Sequence, residues 1–278
     1  MGERDAFVLD RHGLLRIKHW EEHYPGLAAG FTTRLGGRSH APYNTFNLGL
    51  HVGDQPADVV ANRKRLAARL GLSFAAFTCA EQTHGSNVYY VQNIDRGRGK
   101  EAVQDAIPNV DAIYTDQADI LLVSFYADCV PLFFFDPQKR LIGLAHAGWK
   151  GTAGRIGVKL ISAWVEQFGS QREDIRVVLG PSIGGCCYEV DDRVVDQFAS
   201  LRDMISDGAV QETGNGKYDL DLKQINVDFL REAGILEDHI EVSRWCTSCD
   251  RSLFFSHRRD RGKTGRMASF LALKKESS

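Results

Sequence analysis

The sequence predicts an α+β fold: a single domain with a large mixed β-sheet core and helices packed outside it. Two observations carry this. Apolar residues in DILLVSFYAD, PLFFFD and RLIGLAHAG form near-continuous runs, the pattern of strands buried on both faces. Segments with helical character, among them PADVVANRKRLAARL and TAGRIGVKLISAWVEQFG, flank these runs. With no repeat, low-complexity tract or linker, the whole of 1–278 is read as one catalytic domain.

In chain order, residues 1–55 read as strands and loops, with a strand over 29–34, the turn LGGRSHAP and a second strand in FNLGLHVGD. A helix is expected from Pro56 to Leu70, with Asp54 as its N-cap and Gly71 ending it. Val59, Leu66 and Leu70 share one stripe of that helix, and Arg63 falls on the same stripe. A buried guanidinium needs partners once it leaves water. Strand SNVYYVQ precedes a glycine-punctuated surface loop, RGRGKEAVQDAIPN, and the strands DAIYTD, DILLVSFYAD, PLFFFD and RLIGLAHAG follow. Beyond helix TAGRIGVKLISAWVEQFG, helices are expected at 192–202 and 222–233, and strands at IRVVLG, IEVSRW, SLFFSHR and MASFLAL.

An apolar fraction of 43% and a charged fraction of 25% suit a soluble domain with a sizeable core. A formal charge of −2 gives no reason to expect nucleic acid or an anionic membrane as partner. The basic stretch HRRDRGKTGR is too short and mixed for a binding arm. No apolar run reaches membrane-spanning length, and MGERDAFVLD lacks the features of a secretory signal. Six cysteines are too sparse for a disulfide scaffold, so reduced thiols and a cytoplasmic location are expected. Nothing in the pattern calls for obligate assembly, and a monomer is expected.

His84, Cys129 and His146 lie at breaks between strand-like runs, where side chains can converge on one pocket. Two imidazoles and a thiolate suit zinc and leave a fourth position open. A buried free thiol with two hydrogen-bonded histidines is the plainer alternative. Asp128 can be a base, an orienting group for a metal ligand or a turn residue. Gly148 and Gly151, with Lys150 between them, can bring backbone N–H groups to an anion, or simply form a tight strand-to-helix connection. GPSIGG carries the same ambiguity. Arg34, Arg63 and the run His257-Arg258-Arg259 are candidate oxyanion contacts, with structural salt bridging favoured for Arg258 and Arg259. Cys246-Thr-Ser-Cys249 and Cys186-Cys187 read as packed thiols, because adjacent cysteines chelate one tetrahedral ion poorly and no second C-x-x-C exists.

Taken together, EQTHGSNV, DAIYTD, ADCVPLFFFDP, GLAHAGWKGT, GPSIGGCCYEV and FFSHRRDRGKTGRMASF resemble the YfiH/YlmD-type family over about 31–271. Its members were first labelled multicopper polyphenol oxidases, or laccase-like proteins, and later described as purine nucleoside phosphorylases with adenosine deaminase activity. The resemblance implies zinc ligands at His84, Cys129 and His146, a pocket facing Asn62-Arg63, and a fold shared with bacterial deamidating toxins. It also implies purine nucleosides (adenosine, inosine, guanosine, 5′-methylthioadenosine) and phosphate as substrates, with Arg34, Arg63, Lys150 and Gly148 at phosphate or ribose.

Two other functions use the same residues. A copper-dependent polyphenol oxidase needs clustered histidines for a trinuclear centre, and the chain has no H-x-H pair, so copper is the less favoured metal. A cysteine hydrolase or deamidase would use Cys129 as nucleophile and His146 as base.

Overall fold

A computed structural model describes residues 5–275; residues 1–4 and 276–278, the ends of the predicted 1–278 domain and of the predicted signal-free N-terminus, lie outside the described residues. The fold is α+β, with mixed sheets and six α-helices among the described residues. The apolar strands divide between two six-stranded sheets, where the sequence suggested one large sheet. The first runs in the order Val8–Leu9, Leu14–Arg16, Leu27–Thr32, Met267–Leu273, Leu121–Tyr126, Phe77–Cys79. The second runs Ile240–Val242, Arg176–Leu179, Val130–Asp136, Leu141–Ala147, Ala112–Thr115, Val88–Tyr90. A small antiparallel sheet of Glu189–Asp191, Lys217–Leu220 and Val210–Gly214 lies apart from both in pairing.

Near-continuous apolar runs are explained by layering. The inward faces of both sheets meet in one core, with Phe31, Leu122, Tyr126 and Leu271 from the first sheet against Phe133, Phe135, Ile142 and Leu144 from the second. The outer face of the first sheet is covered by helix Pro56–Arg69 through Leu66 and Ala67. The outer face of the second is covered by helices Ile156–Phe168 and Leu222–Glu232, through Leu160, Trp164, Ile225 and Phe229. Each sheet therefore buries both faces, so alternate residues of a strand such as Val130–Asp136 serve two different cores. Among the described residues no helix is long and apolar enough to cross a membrane.

Local expectations fail where side chains take over the backbone. FNLGLHVGD forms no strand: the Asn47 side chain bonds both backbone groups of Gly49, and Arg63 takes the Leu48 carbonyl. SLFFSHR is likewise irregular, with Arg259 on the Phe254 carbonyl and the Met267 sulfur accepting from the Phe255 N–H. Asp54 does not cap helix Pro56–Arg69; Gln55 holds that position, while Asp54 accepts from Asn47. The helix expected over 152–169 breaks at Arg155, whose left-handed φ of 53° separates Trp149–Ala153 from Ile156–Phe168. The helix expected at 192–202 is one α-turn, Asp192–Val195, continued as a 3-10 helix to Met204.

Candidate metal centre and its cavity

Strands Val130–Asp136 and Leu141–Ala147 pair antiparallel with Pro131 opposite His146. That register sets Cys129, just before one strand, beside the end of the other. His84 arrives from the turn after Phe77–Cys79. The ligand atoms of His84, Cys129 and His146 all lie within 4.8 Å of one another, and the two imidazole centroids are 4.9 Å apart. Gly148 follows immediately, where a Cβ would stand 3.0 Å from Cys129 Sγ and 3.5 Å from the His84 ring. Only a residue without a side chain leaves the sulfur this open.

Asp111, which opens the motif DAIYTD but has no site role assigned from sequence, organises the centre. Its Oδ1 accepts from His146 Nδ1 at 2.9 Å and from the His84 N–H at 3.0 Å. Its Oδ2 accepts from the N–H groups of Gly85 and Thr83, and its carbonyl receives the His146 N–H. A carboxylate cannot donate, so His146 carries its proton on Nδ1 and presents Nε2 to the cluster. These bonds also hold His84 at a left-handed φ of 59°. Such a conformation costs on the order of 1–3 kcal/mol and persists only where neighbours fix it.

Charge is redistributed within the cluster. Burial opposes ionisation of Cys129, yet the imidazoles of His146 and His84 outweigh it and bring the thiol down to about 6. Burial likewise disfavours the His146 imidazolium, but the Cys129 thiolate and Asp111 raise it to about 9. Without a metal the pair is thus thiolate and imidazolium near neutral pH. Two imidazoles and one thiolate, with a carboxylate behind one imidazole, form a donor set that fits a tetrahedral ion such as zinc with one position open.

Around the cluster lies a cavity of about 550 Å³, in the range that holds a small organic ligand. Phe125, Trp149 and Tyr188 supply aromatic walls, and His51, His257, Arg258 and Arg266 supply polar and cationic groups. Burial, with Arg266 and Arg63 adding to it, lowers His51 to about 4 and keeps it neutral. Asp128 also lines the cavity, but both of its oxygens are engaged, Oδ1 by the Thr247 hydroxyl and Oδ2 by the Arg258 N–H, each at 2.7 Å. These bonds tie Asp128 to the Thr247 and Arg258 segments of that wall.

Of the sequence candidates for oxyanion contacts, His257 and Arg258 line the cavity, whereas Arg34, Arg63, Gly148 and Lys150 do not. Arg63 is 2% exposed and spends its guanidinium on the carbonyls of Leu48, Gly99 and Lys100, beneath the rings of Phe77 and Phe125. Asn62 bonds Ser39, Thr45 and Asn47. Arg34 donates to the Asn44 carbonyl and stacks on Phe255, and Lys150 is exposed over the Trp149 ring. Arg259 is structural as expected, holding the carbonyls of Thr247, Ser248 and Phe254. Arg258 and Arg266 are the arginines of the lining, Arg258 donating to the Glu189 carbonyl and Arg266 to those of Thr264 and Gly265. Four of the five remaining cysteines, read from sequence as packed thiols, form a cluster: Cys186, Cys187, Cys246 and Cys249 bring their sulfurs within 4.8 Å of one another.

A family model for multi-copper polyphenol oxidoreductase laccase matches residues 28–274. The chain is 46% identical to the purine nucleoside phosphorylase YlmD of Geobacillus stearothermophilus, over 98% of each chain, and 44% identical to YlmD of Bacillus subtilis, over 99% of each. The crystal structure of YlmD from Geobacillus stearothermophilus superposes with a TM-score of 0.92 at 45% identity, covering 98% of this chain and all of that one (100%).

Proposed function

The chain belongs to the YlmD/YfiH family, whose model carries the laccase description, and from that membership we propose that it is a zinc-dependent purine nucleoside phosphorylase. The observation that carries this reading is the cavity, whose lining combines aromatic side chains suited to a purine, two arginines suited to phosphate, and the His84–Cys129–His146 cluster. Adenosine, inosine, guanosine and 5′-methylthioadenosine are the proposed nucleosides, and adenosine deamination is a second proposed activity of the same pocket. The proposed setting is a cytoplasmic monomer.

In phosphorolysis a phosphate oxygen attacks C1′ of the ribose as the C1′–N9 bond breaks, and the bonding pair moves onto the purine. Phe125, Trp149 and Tyr188 would hold the base by stacking and exclude water from the ribose. Arg258 and Arg266 would place the phosphate by charge-assisted hydrogen bonds, taking the role assigned from sequence to Arg34, Arg63 and Lys150. Neutral His51 can hydrogen-bond without adding charge. A bound zinc ion supplies positive charge that polarises substrate atoms and acidifies water, the latter being what deamination requires. Asp111 keeps His146 proton-bearing on Nδ1, so that Nε2 is the atom offered to zinc.

The test is incubation of zinc-loaded protein with inosine or adenosine, with and without phosphate. Free base and ribose 1-phosphate that form only with phosphate support the reading. Absence of turnover with every nucleoside would sink it. A cysteine hydrolase shares the residues, since the thiol is already ionised at neutral pH, but it would keep its activity after chelation.

A further inference from the structure

We propose that Cys186, Cys187, Cys246 and Cys249 form a second metal site, a structural zinc centre that clips two loops of the cavity wall together. The sulfurs of Cys186 and Cys187 are 3.8 Å apart, those of Cys186 and Cys249 3.9 Å, and those of Cys187 and Cys249 3.5 Å. Tetrahedral zinc with bonds of about 2.3 Å requires sulfur–sulfur edges of about 3.8 Å. All four thiols are free, and every pair of sulfurs lies within 4.8 Å. A disulfide would need about 2.05 Å, which none of these three distances approaches.

Adjacency does not prevent Cys186 and Cys187 from sharing one ion. They sit in the tight 3-10 turn Gly185–Cys187, which bends the chain so that both sulfurs meet Cys249. An extended pair would aim them apart. Cys246 and Cys249 form a C-x-x-C turn, and the Gly184 N–H points at Cys246 Sγ at 3.4 Å. Gly184 therefore joins the two halves of the cluster. A C₄ set of soft ligands with no place left for water is the composition of a structural zinc site, unlike the open His₂Cys cluster.

The location gives the clip a purpose. Ser182 and Cys246 form an isolated parallel bridge, and the Thr247 N–H donates to the Ser182 carbonyl. One loop continues to Tyr188, and the other carries Thr247, which holds Asp128. Arg258 N–H holds the other Asp128 oxygen, and its guanidinium stacks on Tyr188. Both loops thus feed the same wall of the cavity.

Metal content of the full-length protein, purified under reducing conditions and dialysed against zinc, reads the site directly. Wild type should retain two zinc ions per chain, and Cys129→Ala and Cys249→Ser should each retain one. Zinc X-ray absorption of Cys129→Ala should give a shell of sulfur only, which decides the matter even if Cys249→Ser does not fold. A folded Cys129→Ala protein without zinc would overturn the proposal. So would iron in place of zinc, a shell containing nitrogen or oxygen, or a Cys187–Cys249 disulfide in zinc-treated protein.

Discussion

His146 Nδ1 donates to Asp111 Oδ1 across 2.9 Å, and the same carboxylate receives the backbone N–H groups of Thr83, His84 and Gly85. One buried aspartate therefore fixes the tautomer of one candidate ligand and the backbone of another. Asp111→Asn keeps the size but offers one acceptor oxygen and adds a donor, so it cannot satisfy both. Zinc affinity, measured by competition with a chromogenic chelator, should fall by about 10- to 100-fold. An unchanged affinity would mean that Asp111 serves only the turn.

The metal-free cluster has a distinctive pH response. The Cys129 thiol titrates at about 6, well below its ordinary value, so the thiolate persists above that pH and is lost as pH falls through it. Iodoacetamide labelling of Cys129 in stripped protein should accordingly rise through pH 6 and level off far below 9. His146, raised to about 9, is still protonated at pH 7.5. Zinc binding there should release about one proton, measurable by calorimetry in buffers of different ionisation heat. Labelling that rises only near pH 9 would remove the thiolate–imidazolium pair.

Arg63 belongs to stability. Its guanidinium satisfies three backbone carbonyls beneath two aromatic rings. Arg63→Met leaves those carbonyls buried without a donor and should lower the unfolding free energy by about 3–5 kcal/mol in urea. A variant that unfolds like wild type but has a raised phosphate KM would restore the substrate role.

Arg266 and Arg258 should carry phosphate recognition. Arg266→Ala is expected to raise the phosphate KM at least tenfold (about 1.4 kcal/mol or more) while the nucleoside KM moves little. Arg34→Ala and Lys150→Ala, away from the lining, should leave the phosphate KM within about twofold. The opposite ranking would return the anion to the 148–151 turn.

The strongest elements were legible because their signals are local. The apolar runs gave the strands of Val130–Asp136 and Leu141–Ala147, and the stripe of Val59 and Leu66 gave the helix Pro56–Arg69. Division into two sheets was not, because it depends on remote pairing: Met267–Leu273 inserts between Leu27–Thr32 and Leu121–Tyr126. His84, Cys129 and His146 could be picked out by residue type at strand ends. Asp111 could not, since an aspartate before a strand reads as a turn residue until its five hydrogen-bond donors are seen. Arg63 misled for a related reason: burial on an apolar stripe signals need for partners, and carbonyls 15 and 36 residues away supply them. The four-cysteine cluster was hidden by sequence adjacency, which says nothing of the turn at Gly185–Cys187.

The most direct measurement is the initial rate of inosine phosphorolysis as zinc is returned to chelator-stripped protein, beside Cys129→Ala treated identically. The wild-type rate should start near zero, rise with added zinc and saturate, while Cys129→Ala stays flat throughout. Full activity in stripped protein, abolished by alkylating Cys129, would instead make the thiolate the nucleophile and zinc dispensable.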